Sequence, residues 1–239
     1  MKPYQHIPIH DEGEPLVPLP LGQFAVVTPH PYVALGAPYG DRSPYWLRQS
    51  VVTALHQAQT RLQAMHPGWR LQIFDAYRPI AVQQFMVDYA TQMLAADRGL
   101  DLAAIAPAQH QALRAEVQQF WAVPSTDPRT PPPHSTGAAV DLTLVDDGGV
   151  PVDMGSPIDE ISVRSHPNHF QHGTDAASQR IHAHRCLLRD CMVGAGFQQH
   201  PQEWWHFSLG DQLWAWQRTQ ATGHPHPARY GCAEPPGAR

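Results

Sequence analysis

Two short stretches carry residue types that chemistry needs. In HSTGAAVD, His134 to Asp141, an imidazole leaves a run of prolines and a carboxylate stands inside an otherwise apolar strand pattern, AAVDLTLV. A carboxylate in such a place is costly unless it is paired or bound to a metal. In EWWH, Glu203 to His206, a carboxylate and an imidazole three residues apart sit among aromatics, which would exclude water and strengthen electrostatic effects. Each stretch has a plainer alternative: Asp141 as a capped residue on a hairpin flank, and Glu203 as an exposed residue on an edge strand. Together, His134, Asp141 and His206 are the two-imidazole, one-carboxylate set of a catalytic zinc, one Zn2+ per chain, which keeps a fourth position for water. Glu203 is then the spare carboxylate, able to take the proton of that water during attack on a carbonyl and pass it to a leaving amine. No GxSxG is present and no cysteine has a suitable neighbourhood, so a Ser or Cys nucleophile is not part of the reading.

Two further charges stand at backbone punctuation. Arg78, in DAYRP, lies where a strand pattern gives way to a helix and offers a fixed cation to a developing oxyanion; a surface arginine in a turn is the alternative. Asp159, in MGSPID, can accept a substrate ammonium, or simply cap a turn. Most of the 16 histidines have no such context. His182 and His184 are two apart in a helical pattern and so do not share a face. His224 and His226 fall in an aperiodic tail.

Convergence of these residues demands particular elements. Positions seven apart on a regular strand face opposite sides, so His134 and Asp141 meet only if the chain bends near Gly137. Glu203 and His206, three apart, share a side only if their strand bulges or ends near Trp205. The prolines of residues 124–133 form a stiff connector that delivers His134. Apolar spacing predicts helices over about 44–65, 79–96, 108–121 and 175–193. Strands are expected at Trp69 to Tyr77, Ala138 to Val145, Val150 to Met154 and Glu203 to Leu209, the middle two joined at Asp146-Asp147-Gly148-Gly149 as a hairpin. Residues 1–43 are proline-rich and expected to wrap a core built elsewhere, 97–133 reads as a helical and proline-rich elaboration, and 223–239 as a flexible tail after a catalytic domain over 1–222. One α+β domain accounts for this order, with a small, mostly antiparallel sheet flanked by helices.

Composition narrows the classes. Net charge is −5 without any basic block, which argues against nucleic acid. No run of 18 apolar residues spans a membrane, and Met1 to Pro20 lacks the pattern of a signal peptide. Three cysteines without a CxxC pair fit a reducing compartment, so a cytoplasmic location is expected. Oligomeric state is left open.

The succession YRP, HSTGAAVDLTL, DMGSPIDEISVRSH and EWWHFSLGD resembles that of the D-alanyl-D-alanine dipeptidases, zinc enzymes grouped with the D,D-carboxypeptidases and the hedgehog-like fold. The similarity runs from about Leu71 to Trp214, interrupted over 97–130. It implies that His134, Asp141 and His206 hold zinc, that Glu203 is the general base, that Arg78 steadies the tetrahedral intermediate, and that Asp159 binds the amine of a small dipeptide substrate. His166, Tyr77 and Trp205 are expected near the site as support. The sequence departs from the family in having Pro132 where a serine usually precedes the first histidine by two, and its N-terminal segment matches poorly, with Tyr32, Tyr39 and Tyr45 as candidates to line the pocket. The competing readings are a peptidoglycan D,D- or L,D-carboxypeptidase acting on longer peptides and a catalytically silent metal-binding module. Asp159 favours the dipeptidase, because a free amine lies near the scissile bond only in a short peptide.

Overall fold

The computed structural model describes residues 2–234. In chain order its elements are β1 (Leu16–Pro18), β2 (Ala25–Val26), α1 (Pro31–Ala34), β3 (Trp46–Arg48), α2 (Gln49–Met65), β4 (Arg70–Asp75), α3 (Ile80–Asp97), α4 (Pro107–Phe120), β5 (Ala139–Val145), α5 (Ala176–Gly194), β6 (Gln198–Gln199), β7 (His206–Ser208) and α6 (Gln212–Thr222). Strands β2-β4-β5-β7-β6 form one sheet in that order, antiparallel except for the β2–β4 pair, and β1 pairs with β3 in a separate ribbon. The α+β class and the mostly antiparallel sheet agree with the sequence reading.

The core lies on one face of this sheet. Leu71 and Ile73 of β4 pair with Leu144 and Leu142 of β5, and paired residues project to the same side. These four pack with Val51, Leu55, Ala58 and Leu62 of α2 and with Leu188 and Met192 of α5 in one buried cluster. The period-3.6 spacing of α2 and the period-2 spacing of the strands thus bury their apolar residues against each other. A second cluster joins Val82, Met86 and Val87 of α3 to Val117 of α4, Trp121 and Tyr32, so the 97–133 elaboration packs on α3 and brings Trp121 beside the sheet.

The opposite face of the sheet carries charge at one end. Register shifts between Ile73 and Asp75, a bulge that pairs Asp75 with Asp141, and Asp141 in turn pairs with His206. Regular alternation would have sent Asp75 to the core side with Leu71 and Ile73; the extra residue turns it over. Three polar residues from three neighbouring strands therefore line up in one row.

Several sequence expectations are corrected. Helix α2 begins at Gln49, because Trp46–Arg48 are extended and pair with β1. The expected strand at Val150 to Met154 reduces to a bridge between Pro151 and Val145, although the Asp146–Gly149 turn forms, with Gly149 N–H donating to the Asp146 carbonyl. Strand β7 begins only at His206. Beyond Gly223 the chain is not frayed up to Glu234: Ala228 bridges Ile9, Tyr230 is fully buried, and Ala233 N–H donates to the Ser135 carbonyl at 3.1 Å. The rest of the expected tail, 235–239, lies outside the described residues.

Candidate active site

His134 sits in a 3-10 turn, Pro133–Thr136, that ends at Gly137 with φ 70° and ψ 17°, the left-handed conformation that suits glycine. This is the bend that the spacing of His134 and Asp141 requires. Prolines 132 and 133 set the turn's entry, and the Nδ1 of His134 lies 2.7 Å from the Ala76 carbonyl. A carbonyl only accepts, so Nδ1 carries the proton and Nε2 presents its lone pair. That lone pair faces His206 Nδ1 at 3.2 Å and Asp141 Oδ2 at 3.2 Å, while Asp141 Oδ1 is 3.0 Å from His206 Nδ1. The other nitrogen of His206, Nε2, is 3.3 Å from Ser208 Oγ. Nδ1 is therefore the His206 nitrogen turned toward Asp141 and His134.

Two imidazole nitrogens and a carboxylate therefore converge, buried, with all their ligand atoms within 4.8 Å of one another. Such donors repel unless a cation stands among them. The donor set fits a dication of the zinc type, and the Nδ1 contact to Ala76 is the kind of outer bond that fixes a metal-binding histidine.

Glu203 borders this triad from the loop before β7, its Oε2 3.8 Å from His206 Nδ1 and its Oε1 3.7 Å from His200 Nδ1. Strand geometry begins only after Trp205, which is how a carboxylate three residues before His206 reaches the same side. Burial, reinforced by the Asp141 charge and opposed by His206, pushes the Glu203 carboxyl up to about 7. His200, fully enclosed, is held well below its ordinary value by burial and stays neutral.

Arg78 is clamped on every side. Asp75 Oδ2 lies 2.8 Å from its Nη2, Gln83 Oε1 accepts from Nη1 at 2.9 Å, and Nη2 also reaches Asp141 Oδ2 at 3.3 Å. The guanidinium carbon stands 4.9 Å from the Tyr32 ring centroid and 5.1 Å from that of Trp121. Asp75 is completely buried and also meets His30 Nε2 and the Tyr39 hydroxyl, each at 3.1 Å, and His134 Nδ1 at 3.5 Å. It thus holds both Arg78 and the first histidine.

Asp159 has φ 67°, and its Oδ2 accepts from the Tyr32 hydroxyl at 2.8 Å. Desolvation, together with Asp141 nearby, pushes its carboxyl up to about 8. It lines the same cleft as Arg78, His134, Asp141, Glu203, Trp205 and His206.

The sequence-predicted residues therefore meet, with two exceptions. Tyr77 points away from the cleft and donates its hydroxyl to the Ala233 carbonyl at 2.9 Å, bracing the C-terminal strap. His166 stands outside the cleft lining, with its carbonyl accepting from Arg185 at 2.8 Å. Among the three tyrosines, Tyr32 reaches Asp159 and Arg78, Tyr39 binds Asp75, and Tyr45 donates to the Val27 carbonyl. Sequence reasoning missed Asp75, Gln83 and His200, and from the N-terminal segment Lys2 and Tyr4, all of which touch or line the site. Asp75 alone carried a signal, a charge at the end of an apolar strand three residues before Arg78.

Residues 26–225 match the family profile described as D-ala-D-ala dipeptidase. The chain is 50% identical over 241 residues to the D-alanyl-D-alanine dipeptidase of Synechocystis sp., covering 98% of each protein. It is 33% identical over 165 residues to that of Enterococcus faecalis, covering 69% of this chain and 73% of the other. Among solved structures it is similar to a vancomycin-resistance D,D-pentapeptidase VanY in complex with Zn(II), at 14% identity and a TM-score of 0.45 over 87% of this chain and 90% of that one. A second likeness is to VanYB in complex with D-alanine-D-alanine, at 17% identity and a TM-score of 0.43, over 75% and 80% of the two chains. The extent of the profile match and of the Synechocystis alignment, on a chain that folds HSTGAAVD and EWWH into one buried triad with a carboxylate beside it, shows that this peptidase belongs to the D-alanyl-D-alanine dipeptidase family.

Proposed function

We propose that the chain hydrolyses free D-Ala-D-Ala-type dipeptides, with His134, Asp141 and His206 as zinc ligands and Glu203 as general base. The observation that carries this reading is the inward-facing triad, whose ligand atoms lie within 4.8 Å of one another, with Glu203 Oε2 3.8 Å from one of them. Zinc in that position supplies Lewis-acid polarisation of the scissile carbonyl and a lowered pKa for water. Glu203 accepts the proton of the attacking water as the carbon–oxygen bond forms, then delivers it to the nitrogen as the carbon–nitrogen bond breaks, releasing two amino acids. Its raised carboxyl pKa suits both halves of that task near neutrality.

Arg78 carries charge that Asp75, Gln83 and the Tyr32 and Trp121 rings hold in one place. A preorganised cation of this kind stabilises a developing oxyanion without having to reorient. Asp159, ionised opposite a substrate ammonium, gives the site its requirement for a free amine one residue from the scissile bond. The unpaired cysteines Cys186, Cys191 and Cys232 support a cytoplasmic location, and among the described residues no helix is long and apolar enough to cross a membrane.

The test is a hydrolysis panel on the purified, zinc-analysed protein. D-Ala-D-Ala is expected to be cleaved in preference to L-Ala-L-Ala, to N-acetyl-D-Ala-D-Ala and to longer peptides ending in D-Ala-D-Ala. Cleavage of the longer and acetylated peptides at equal rates would overturn the dipeptidase assignment.

A further inference from the structure

One lining residue of the cleft has no part in the chemistry described above. Lys2 lies half-buried on the wall that also holds Tyr4, His200 and Glu203. Its ammonium has a single weak partner, the Gln119 carbonyl at 3.4 Å, and among the described residues no carboxylate oxygen stands within ion-pair distance of it. Arg78, the other cation of the cleft, already pairs with Asp75 and Asp141 and is assigned to the oxyanion.

Lys2 is also held in place. Its backbone N–H donates to Gln5 Oε1 at 2.8 Å, closing a 3-10 turn over Pro3–His6. Gln212 at the start of α6 binds the Ile7 carbonyl at 2.7 Å, and Tyr4 of the turn is buried.

A chain of contacts links the amine-binding and metal-binding parts of the cleft. Asp159 reaches Tyr32 at 2.8 Å, Tyr32 reaches Arg78 at 3.3 Å, Arg78 reaches Asp141 at 3.3 Å, Asp141 reaches His206 at 3.0 Å, and His206 reaches Glu203 at 3.8 Å. Lys2 lines the cleft with Glu203, Tyr4 and His200. A free dipeptide is a zwitterion with its ammonium before the scissile bond and its carboxylate after it. With the ammonium at Asp159 and the reacting carbonyl at the triad, the carboxylate passes beyond Glu203. There it would meet like charges from Glu203 and Asp141 unless a cation compensates.

Resting on the dipeptidase reading above, we propose that Lys2 binds the C-terminal carboxylate of the dipeptide, so that the N-terminal turn sets specificity for a free acid on the leaving-group side. The cleft then reads both ends of its substrate, Asp159 the amine and Lys2 the acid.

The test compares D-Ala-D-Ala with its C-terminal amide in the wild type, Lys2→Met and Lys2→Arg. A charge-assisted hydrogen bond at this position corresponds to about a tenfold or larger preference of the wild type for the acid. Lys2→Met is expected to lower kcat/KM for the acid by about that factor, chiefly through KM, while changing the amide by no more than about twofold. Lys2→Arg is expected to recover most of the preference. An equal loss on acid and amide, with the acidic limb of the pH profile displaced upward, would make Lys2 a counterion of Glu203 and overturn the proposal. So would an unchanged acid-to-amide ratio in Lys2→Met. Failure of the wild type to cleave either compound would instead remove the dipeptidase reading, and this inference with it.

Discussion

Asp75 Oδ2 lies 2.8 Å from Arg78 Nη2, on a face of the sheet that Asp75 reaches only through the bulge between Ile73 and itself. The pair is fully buried, so removing one charge strands the other. Asp75→Asn is expected to destabilise the fold by about 3 kcal/mol, the lower end for a broken buried pair because Asp141 still faces Arg78. Turnover should fall about 10- to 100-fold as Arg78 and His134 lose a shared anchor. Urea unfolding midpoints and kcat check this, and a variant as stable and as active as the wild type would refute the anchoring role.

Glu203→Gln keeps the shape of the site and removes its base. Turnover is expected to fall by about 10²- to 10⁴-fold, with bound zinc, measured by elemental analysis, still near one per chain. The base form of Glu203 exists above its pKa and is lost as pH falls through it. Since burial pushes that carboxyl up to about 7, and a dication on the adjacent triad draws it back down, kcat/KM should rise with pH with a midpoint at or below about 7. Carboxyl NMR should show the Glu203 midpoint fall when zinc is added to the metal-free protein.

The way these groups assemble shows what a sequence can convey. Both backbone requirements were legible: the bend at Gly137 and the end of strand geometry near Trp205 follow from side-chain periodicity alone, given that His134, Asp141, Glu203 and His206 converge. Asp75 stood out only as a charge ending an apolar strand; its place at the site was not legible, because alternation assigns it to the core with Leu71 and Ile73 and a bulge inverts alternation without marking itself in the local sequence. Lys2, Tyr4 and the strap at Ala233 reach the site from the ends of the chain, through pairings with Gln212, Gln119 and Ser135 that no local pattern encodes. The packed segment after Gly223 was misread for the same reason: aperiodic sequence says nothing about long-range backbone pairing.

Asp159 gives a pH signature of opposite sense in stability. Desolvation raises its carboxyl to about 8, so the folded chain retains a proton that the unfolded chain releases at the ordinary carboxylate value. Stability is therefore lost as pH rises between about 4 and 8. Asp159→Asn should flatten that slope in the metal-free protein, melting progressively better relative to the wild type as pH is raised through this window. In the zinc enzyme the same variant should lose its preference for a free amine over an acetylated one. Parallel stability curves for variant and wild type would show that Asp159 is ionised in the fold throughout.

Zinc should also be a folding ligand. The triad's converging nitrogens and carboxylate favour a bound cation, and a ligand bound only by the folded state stabilises it by about 4 kcal/mol at a free concentration a thousand times its Kd. Melting temperature is expected to rise on adding zinc and to return on chelation, and His134→Ala should abolish the response while leaving the metal-free melting temperature within a few degrees of the wild type.

Gly137 tests whether the bend or the ligands limit the site. A Cβ there would lie 2.1 Å from Leu16 Cδ2, and the residue's φ of 70° is itself unfavourable for alanine. Gly137→Ala therefore carries two penalties, about 1 kcal/mol or more for the backbone and a further one for displacing the buried Leu16. Because Gly137 links the turn of His134 to the strand of Asp141, relief by backbone movement would separate two metal ligands, and zinc affinity should fall along with stability. The added variant Leu16→Ala separates the causes. It removes the atom in conflict, so the double variant should recover zinc affinity relative to Gly137→Ala alone, even though Leu16→Ala leaves a cavity and costs stability by itself. Additive losses in the double variant would place the effect in the backbone conformation and not in the contact with β1.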